Sequence, residues 1–89
     1  MMAKIIVSSL TLQIWLESFS ECEELEFRVK NGQLICDNSF LNVETKGEGS
    51  VKLTWKRIKD FIAVLCHLKD QPIVLFFESG RLWLWQALI

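Results

Sequence analysis

Two tryptophans near the end of the chain, Trp83 and Trp85, have the type and spacing that carry the most binding chemistry. In an extended segment, residues two apart share a face. Both indoles are therefore expected on one side of the last strand, beside Val74 and Phe76 of the strand before it. Buried aromatics dominate interface energetics, and truncating one at a hot spot commonly costs about 2 kcal/mol or more. Val74, Phe76, Trp83 and Trp85 thus read as an oligomer or partner interface. The plainer reading is that the same chain covers them as core. A second group, Lys56, Arg57 and Lys59, falls in the opening turn of a helix. Cations there oppose the helix dipole at about 0.3–1 kcal/mol each. Folding alone would favour Asp or Glu there, and contact with duplex phosphates is one candidate reason for the bases. The plainer reading is a tolerated surface patch offset by Asp60. No aromatic residue interleaves on that face to stack on bases.

Other reactive residues do not assemble into a recognisable centre. Cys66 and His67 are adjacent, and neighbouring helical positions point about 100° apart, so a thiolate–imidazole pair is not expected. No spacing of Cys and His suits a zinc site. Gly47-Glu48-Gly49 lacks the following Lys and helix start of a phosphate-binding loop, and reads as a turn. The carboxylates are scattered along wet faces, which gives general acid–base chemistry no specific support. The chain is expected to be non-enzymatic, with no cofactor and no metal.

Composition narrows the class further. The chain has 89 residues, 51% of them apolar and four of them Trp, with a net charge of −1. A chain of this size buries only about 60–65% of its unfolded surface. So rich an apolar supply implies either a dense core or a face that meets a partner. The charge balance gives no general pull toward nucleic acid or an anionic membrane. The charges are segregated, however. Glu17, Glu21, Glu23, Glu24 and Glu26 occur without a base among them, and Lys52, Lys56, Arg57 and Lys59 without an acid. Cys22, Cys36 and Cys66 are an odd, irregularly spaced set, which argues against a disulfide framework and for reduced thiols in a cytoplasmic protein. The apolar stretch 5–16 is interrupted by Thr11 and Gln13 and is too short to span a bilayer, so no membrane partner is expected.

The elements follow from periodicity and punctuation. Residues 3–7 read as a strand. Ser8 caps a helix carrying Leu12, Trp15, Leu16 and Phe19, with Val7 and Leu12 as a hydrophobic staple. Leu25, Phe27 and Val29 alternate with charged residues as a half-wet strand. Asn31-Gly32 supplies a type I′ hairpin turn into Leu34 and Cys36. Asn38-Ser39 turns the chain again into one strand through Leu41, Val43 and Thr45. Val51 and Leu53 lead to Thr54, which caps a second helix with the stripe Ile58, Phe61, Ile62, Leu65 and Leu68. Pro72 stops that helix, and strands at 73–78 and 81–88 close the chain around Ser79-Gly80. The expectation is a single α+β domain over residues 1–89, without internal repeat. Its order is β-α-β-β-β-β-α-β-β, with two amphipathic helices on one face of a mainly antiparallel sheet. Its final hairpin is apolar on both faces and so needs cover on both.

Several of these patterns together resemble one repeat of the DNA sliding clamps. The stretch 25–34 (Leu-Glu-Phe-Arg-Val-Lys-Asn-Gly-Gln-Leu) is similar to a clamp hairpin. Residues 50–69 resemble the clamp's short strand leading into a helix with basic first turn, and 72–84 the following hairpin, with Glu-Ser-Gly-Arg-Leu at its turn. Ile5 to Phe19 would be the first strand and helix. The resemblance implies a clamp-like fold and phosphate contacts at Lys56, Arg57 and Lys59; Glu17 and Glu21 stand on the first helix instead of bases. A clamp subunit strings several such repeats together and this chain has one, so a ring would need several copies or a partner chain. Three readings follow. The leading one is a binding module that self-associates through its C-terminal hairpin. The others are a clamp-like protein on DNA, and an immunity or inhibitor protein that turns Glu17–Glu26 toward a basic partner.

Overall fold

The computed structural model describes residues 2–19, 23–78 and 81–86, the last of these by backbone alone. The order is β1 (Met2–Ser8), α1 (Ser9–Glu17), β2 (Glu24–Lys30), β3 (Gln33–Cys36), β4 (Ser39–Asn42), β5 (Glu44–Lys46), β6 (Gly49–Thr54), α2 (Trp55–Cys66), β7 (Pro72–Glu78) and β8 (Arg81–Gln86). The class is α+β with antiparallel pairing throughout the described strands.

The expected single sheet is in fact two. One has the order β5-β1-β7-β8 and the other β4-β3-β2-β6. The split occurs at Val43, inside what periodicity reads as one strand. Leu41, Val43 and Thr45 keep their alternation, but β4 pairs with β3 while β5 pairs with β1. Val43 leaves both ladders and donates its N–H to the carbonyl of Gly32 at 3.0 Å. The Gly32 N–H donates in turn to Thr45 Oγ1 at 2.8 Å. The Asn31–Gly32 turn, with φ of 48° and 79°, is thus the post around which the chain changes sheets. The next turn lies at Asp37–Asn38, one residue before the expected position, with Asp37 at φ 53°.

Both helices start where their caps predict. Ser8 Oγ accepts from the Thr11 N–H at 3.4 Å, and Thr54 Oγ1 accepts from the Arg57 N–H at 3.3 Å. These side chains satisfy donors that a helix leaves open in its first turn. Phe19 lies just past α1 and packs edge-on against Trp15, with ring centroids 5.0 Å apart.

The strand registers show a relationship that residue identity hides. Ser8, the cap of α1, pairs with Pro72, the first residue of the strand after α2. Thr54, the cap of α2, pairs with Glu24, the first residue of the strand after α1. The Ser9 N–H donates to Gln71 O at 2.8 Å, and the Trp55 N–H donates to Glu23 O at 3.2 Å. The hairpins match as well, with Lys30 opposite Gln33 and Glu78 opposite Arg81. Two β-α-β-β units are therefore related by a pseudo-two-fold, in which β1-β7-β8 corresponds to β6-β2-β3. The chain carries a structural repeat after all, kept in apolar pattern and not in identity. Leu12 and Ile58 are equivalent, as are Leu25 and Ile73, and Phe27 and Leu75.

Each sheet gives one face to a common core. Ala3, Ile5 and Val7 of β1, Ile73, Leu75 and Phe77 of β7, and Leu25, Phe27 and Val29 of β2 join Leu12 and Leu16 of α1 and Ile58 and Leu65 of α2. The sheets abut at Gly49. A Cβ there would lie 3.3 Å from the Ala3 Cβ and 3.7 Å from the Phe77 Cβ.

Candidate functional site

Val74 and Phe76, singled out on the final hairpin, belong to the outer face of the first sheet. Along β7 the burial alternates. Ile73, Leu75 and Phe77 are at most 3% exposed, whereas Val74 and Phe76 are half-buried. The alternation follows from strand geometry, since the buried set faces the helices and the other set faces away. Backbone register continues the outer row across the sheet. Phe76 pairs with Lys4 on one side and Trp83 on the other; Val74 pairs with Ile6 and Trp85. The side chains of Trp83 and Trp85 lie outside the described residues. So do residues 87–89, where the last strand was expected to end. Toward β5 the same face turns polar. Lys4 pairs with Lys46 and Ile6 with Glu44. A shallow hollow of about 140 Å³ opens there between Lys4, Ile6, Glu44, Thr45 and Lys46.

The order of strands gives this site a second property. β8 is an edge strand, joined to β7 and to no other described strand. Its residues 82–85 are Leu-Trp-Leu-Trp, without a charge. The other edge of the same sheet, β5, has three residues and carries Glu44 and Lys46. Shortness and charge are common ways to block edge pairing, and β8 has six residues with a charge only at Arg81.

Lys56, Arg57 and Lys59 are all exposed on α2, whose first turn holds no acid. Asp60 is exposed beside them and lines, with Leu53, Arg57 and Phe61, a hollow of about 200 Å³. α1 packs against α2, but the residues it exposes are of another kind. Leu10 is 42% and Ile14 60% exposed, and Val64 of α2 is 46% exposed. Sequence reasoning missed these three. Leu10 and Ile14 stand four apart and off the stripe of Leu12, Trp15 and Leu16, so helical spacing alone carried the signal.

The remaining candidates are dispersed. Glu17, Glu23, Glu24 and Glu26 are exposed, while Glu21 and Cys22 lie outside the described residues. Cys36 is buried in β3 and Cys66 is exposed at the end of α2. Among the described residues no three His, Cys, Asp or Glu side chains gather in a way that could hold a metal ion. Among the same residues no helix is long and apolar enough to cross a membrane.

Fold and site together define, among the described residues, an α+β protein with two four-stranded antiparallel sheets and a helix pair, in which β8 is an edge strand. No protein-family model matches this chain, and no curated protein is similar to it in sequence.

Proposed function

We propose that this chain is a non-enzymatic assembly module that self-associates through its C-terminal hairpin, β7 and β8. The observation that carries the reading is the outer row of the first sheet. There half-buried Phe76 and Val74 stand in register with Trp83 and Trp85 on an edge strand. Apolar surface gathered on one face of a small domain marks an interaction site or an aggregation liability. A clamp-like fold is part of the same reading. It is supported by two helices, each entered from a capping strand end and followed by a hairpin, as the resemblance to a sliding-clamp repeat implies. Light scattering across a micromolar concentration series tests the proposal. The parent chain is expected to form a dimer or larger species, and Trp83→Ser with Trp85→Ser to shift it toward monomer. A parent that stays monomeric throughout removes the proposal.

A second reading, contact with duplex phosphates through α2, is favoured by the joint exposure of Lys56, Arg57 and Lys59 above a first turn without acids. The exposed Leu10, Ile14 and Glu17 on the neighbouring helix weigh against a continuous phosphate-facing surface. Absence of duplex binding at low salt removes this reading.

A further inference from the structure

We infer that the outer face of the first sheet packs against the same face of a second copy, about a two-fold axis that crosses the strands, so that Lys46 of each copy meets Glu44 of the other. The inference rests on the self-association proposed above and names the face and the charges that make the contact.

The first observation is a like-charge pair. Lys4 of β1 and Lys46 of β5 are register partners. Side chains directly opposite in an antiparallel pair have Cβ atoms about 4.5–5.5 Å apart, and like charges there are destabilising. Folding of the single chain gives no reason for the pair. Glu44 stands two residues along β5, opposite Ile6, and the hollow of about 140 Å³ opens among these side chains. A carboxylate that enters from outside beside Lys46 would offset both lysines.

The second observation is the order of residues across the face. One register row is Lys46, Lys4, Phe76 and Trp83, and the next is Glu44, Ile6, Val74 and Trp85. A two-fold axis lying between two facing sheets, across the strands and midway between these rows, exchanges them. It sets Lys46 over the second copy's Glu44 and Glu44 over the second copy's Lys46. Packed sheets lie about 10 Å apart, a gap that a Lys and a Glu side chain span together. Ile6, Val74 and Phe76, half-buried in the single chain, close the centre of the contact. In the flanking rows Glu78 falls over the second copy's Pro72 and Met2 over its Ser8, with no like charges opposed.

The charge pattern also selects the orientation. A two-fold running along the strands, between β1 and β7, would set Lys46 and Glu44 opposite the register positions of Trp83 and Trp85 and leave both charges unmatched. Across the strands, each copy supplies the charge that the other needs. Such a contact is isologous and closes at two copies.

Light scattering on charge-reversed chains tests the pairing. Glu44→Lys alone and Lys46→Glu alone each oppose like charges in the dimer, and each is expected to weaken self-association about tenfold or more. An equimolar mixture of the two is expected to regain the parent's affinity, because every contact between the unlike chains is again Glu against Lys. If a reversed chain does not fold, Glu44→Gln and Lys46→Gln keep the test. Each removes one end of the same two contacts, so both are expected to weaken association to the same degree, about threefold or more. Variants that associate as tightly as the parent, or a mixture of folded reversed chains that does not recover, overturn the face-to-face pairing and leave the proposed self-association standing. A parent that is monomeric throughout the concentration series overturns both. Species that grow beyond two copies overturn the isologous form.

Discussion

The indole Nε1 of Trp15 donates to Ser39 Oγ at 2.9 Å, which ties α1 to the first residue of β4. Trp15 is 8% exposed and packs edge-on against Phe27 as well as Phe19, so the bond sits at the seam between helix and second sheet. Removing one partner leaves a desolvated polar group without a mate. Ser39→Ala is expected to cost about 1–3 kcal/mol by that mechanism. Trp15→Ala adds the lost packing and is expected to cost about 3–5 kcal/mol. Urea unfolding of the two variants measures both, and equal costs would place the energy in the hydrogen bond alone.

Gly47 and Gly32 both stand at φ 79° but differ in surroundings. A Cβ at Gly47 would lie 2.6 Å from the backbone oxygen of Met2, whereas at Gly32 its nearest neighbour is 3.8 Å away. Gly32→Ala is expected to cost about 1–2 kcal/mol, the left-handed penalty alone. Gly47→Ala must also displace backbone and is expected to cost more. Thermal melts of the pair give the order.

The two helix caps are equivalent by the pseudo-two-fold but not in their partners. Both hydroxyls accept from a backbone N–H, and Ser8 Oγ additionally donates to the Asp70 carboxylate. Asp70 is held there with φ 54°, next to Lys69 at φ 50°. Thr54→Ala is expected to cost about 1 kcal/mol. Ser8→Ala is expected to cost more than Thr54→Ala, and Asp70→Ala to erase most of that difference in a double-mutant cycle on Ser8.

Neighbours on β7 separate fold from assembly. Leu75 is 1% exposed and faces the core, so Leu75→Ala is expected to cost about 2–5 kcal/mol. Val74 is half-buried on the outer face. Val74→Thr is expected to cost less stability than Leu75→Ala, because its site is outside the core, while weakening self-association measurably. Denaturation midpoints and light scattering on both variants check the separation.

If α2 contacts a duplex, each phosphate released by substitution changes the salt dependence by a fixed amount. Loss of Lys56, Arg57 and Lys59 together is expected to flatten the plot of log K against log salt by roughly 0.9 for each residue. Fluorescence anisotropy with a labelled duplex reads that slope. An unchanged slope dissociates the three bases from any binding observed.

Local chemistry made a large part of this fold legible. Ser8 and Thr54 announce the helix starts because a short hydroxyl is what an open N–H needs. Asn31-Gly32 announces its hairpin because few residues accept two positive φ angles. The alternation of Leu25, Phe27 and Val29 marks the buried face of β2 because a strand repeats every two residues. Val74 and Phe76 were legible as an outer pair for the same reason.

Partnership was not legible. A period of two says which side chains share a face, but not which strand lies alongside, and that is settled by hydrogen bonds between residues far apart in the chain. Leu41, Val43 and Thr45 look like one strand, yet the chain changes sheets at Val43 because the backbone at Gly32 captures it. The pairing of each helix cap with the strand after the other helix needed the closed structure too. By itself the sequence determined caps, turns and faces, which depend on neighbours within a few residues. Tertiary structure alone decided the two sheets, their pseudo-two-fold and the place of β8 at the edge of its sheet, because those depend on which backbones meet.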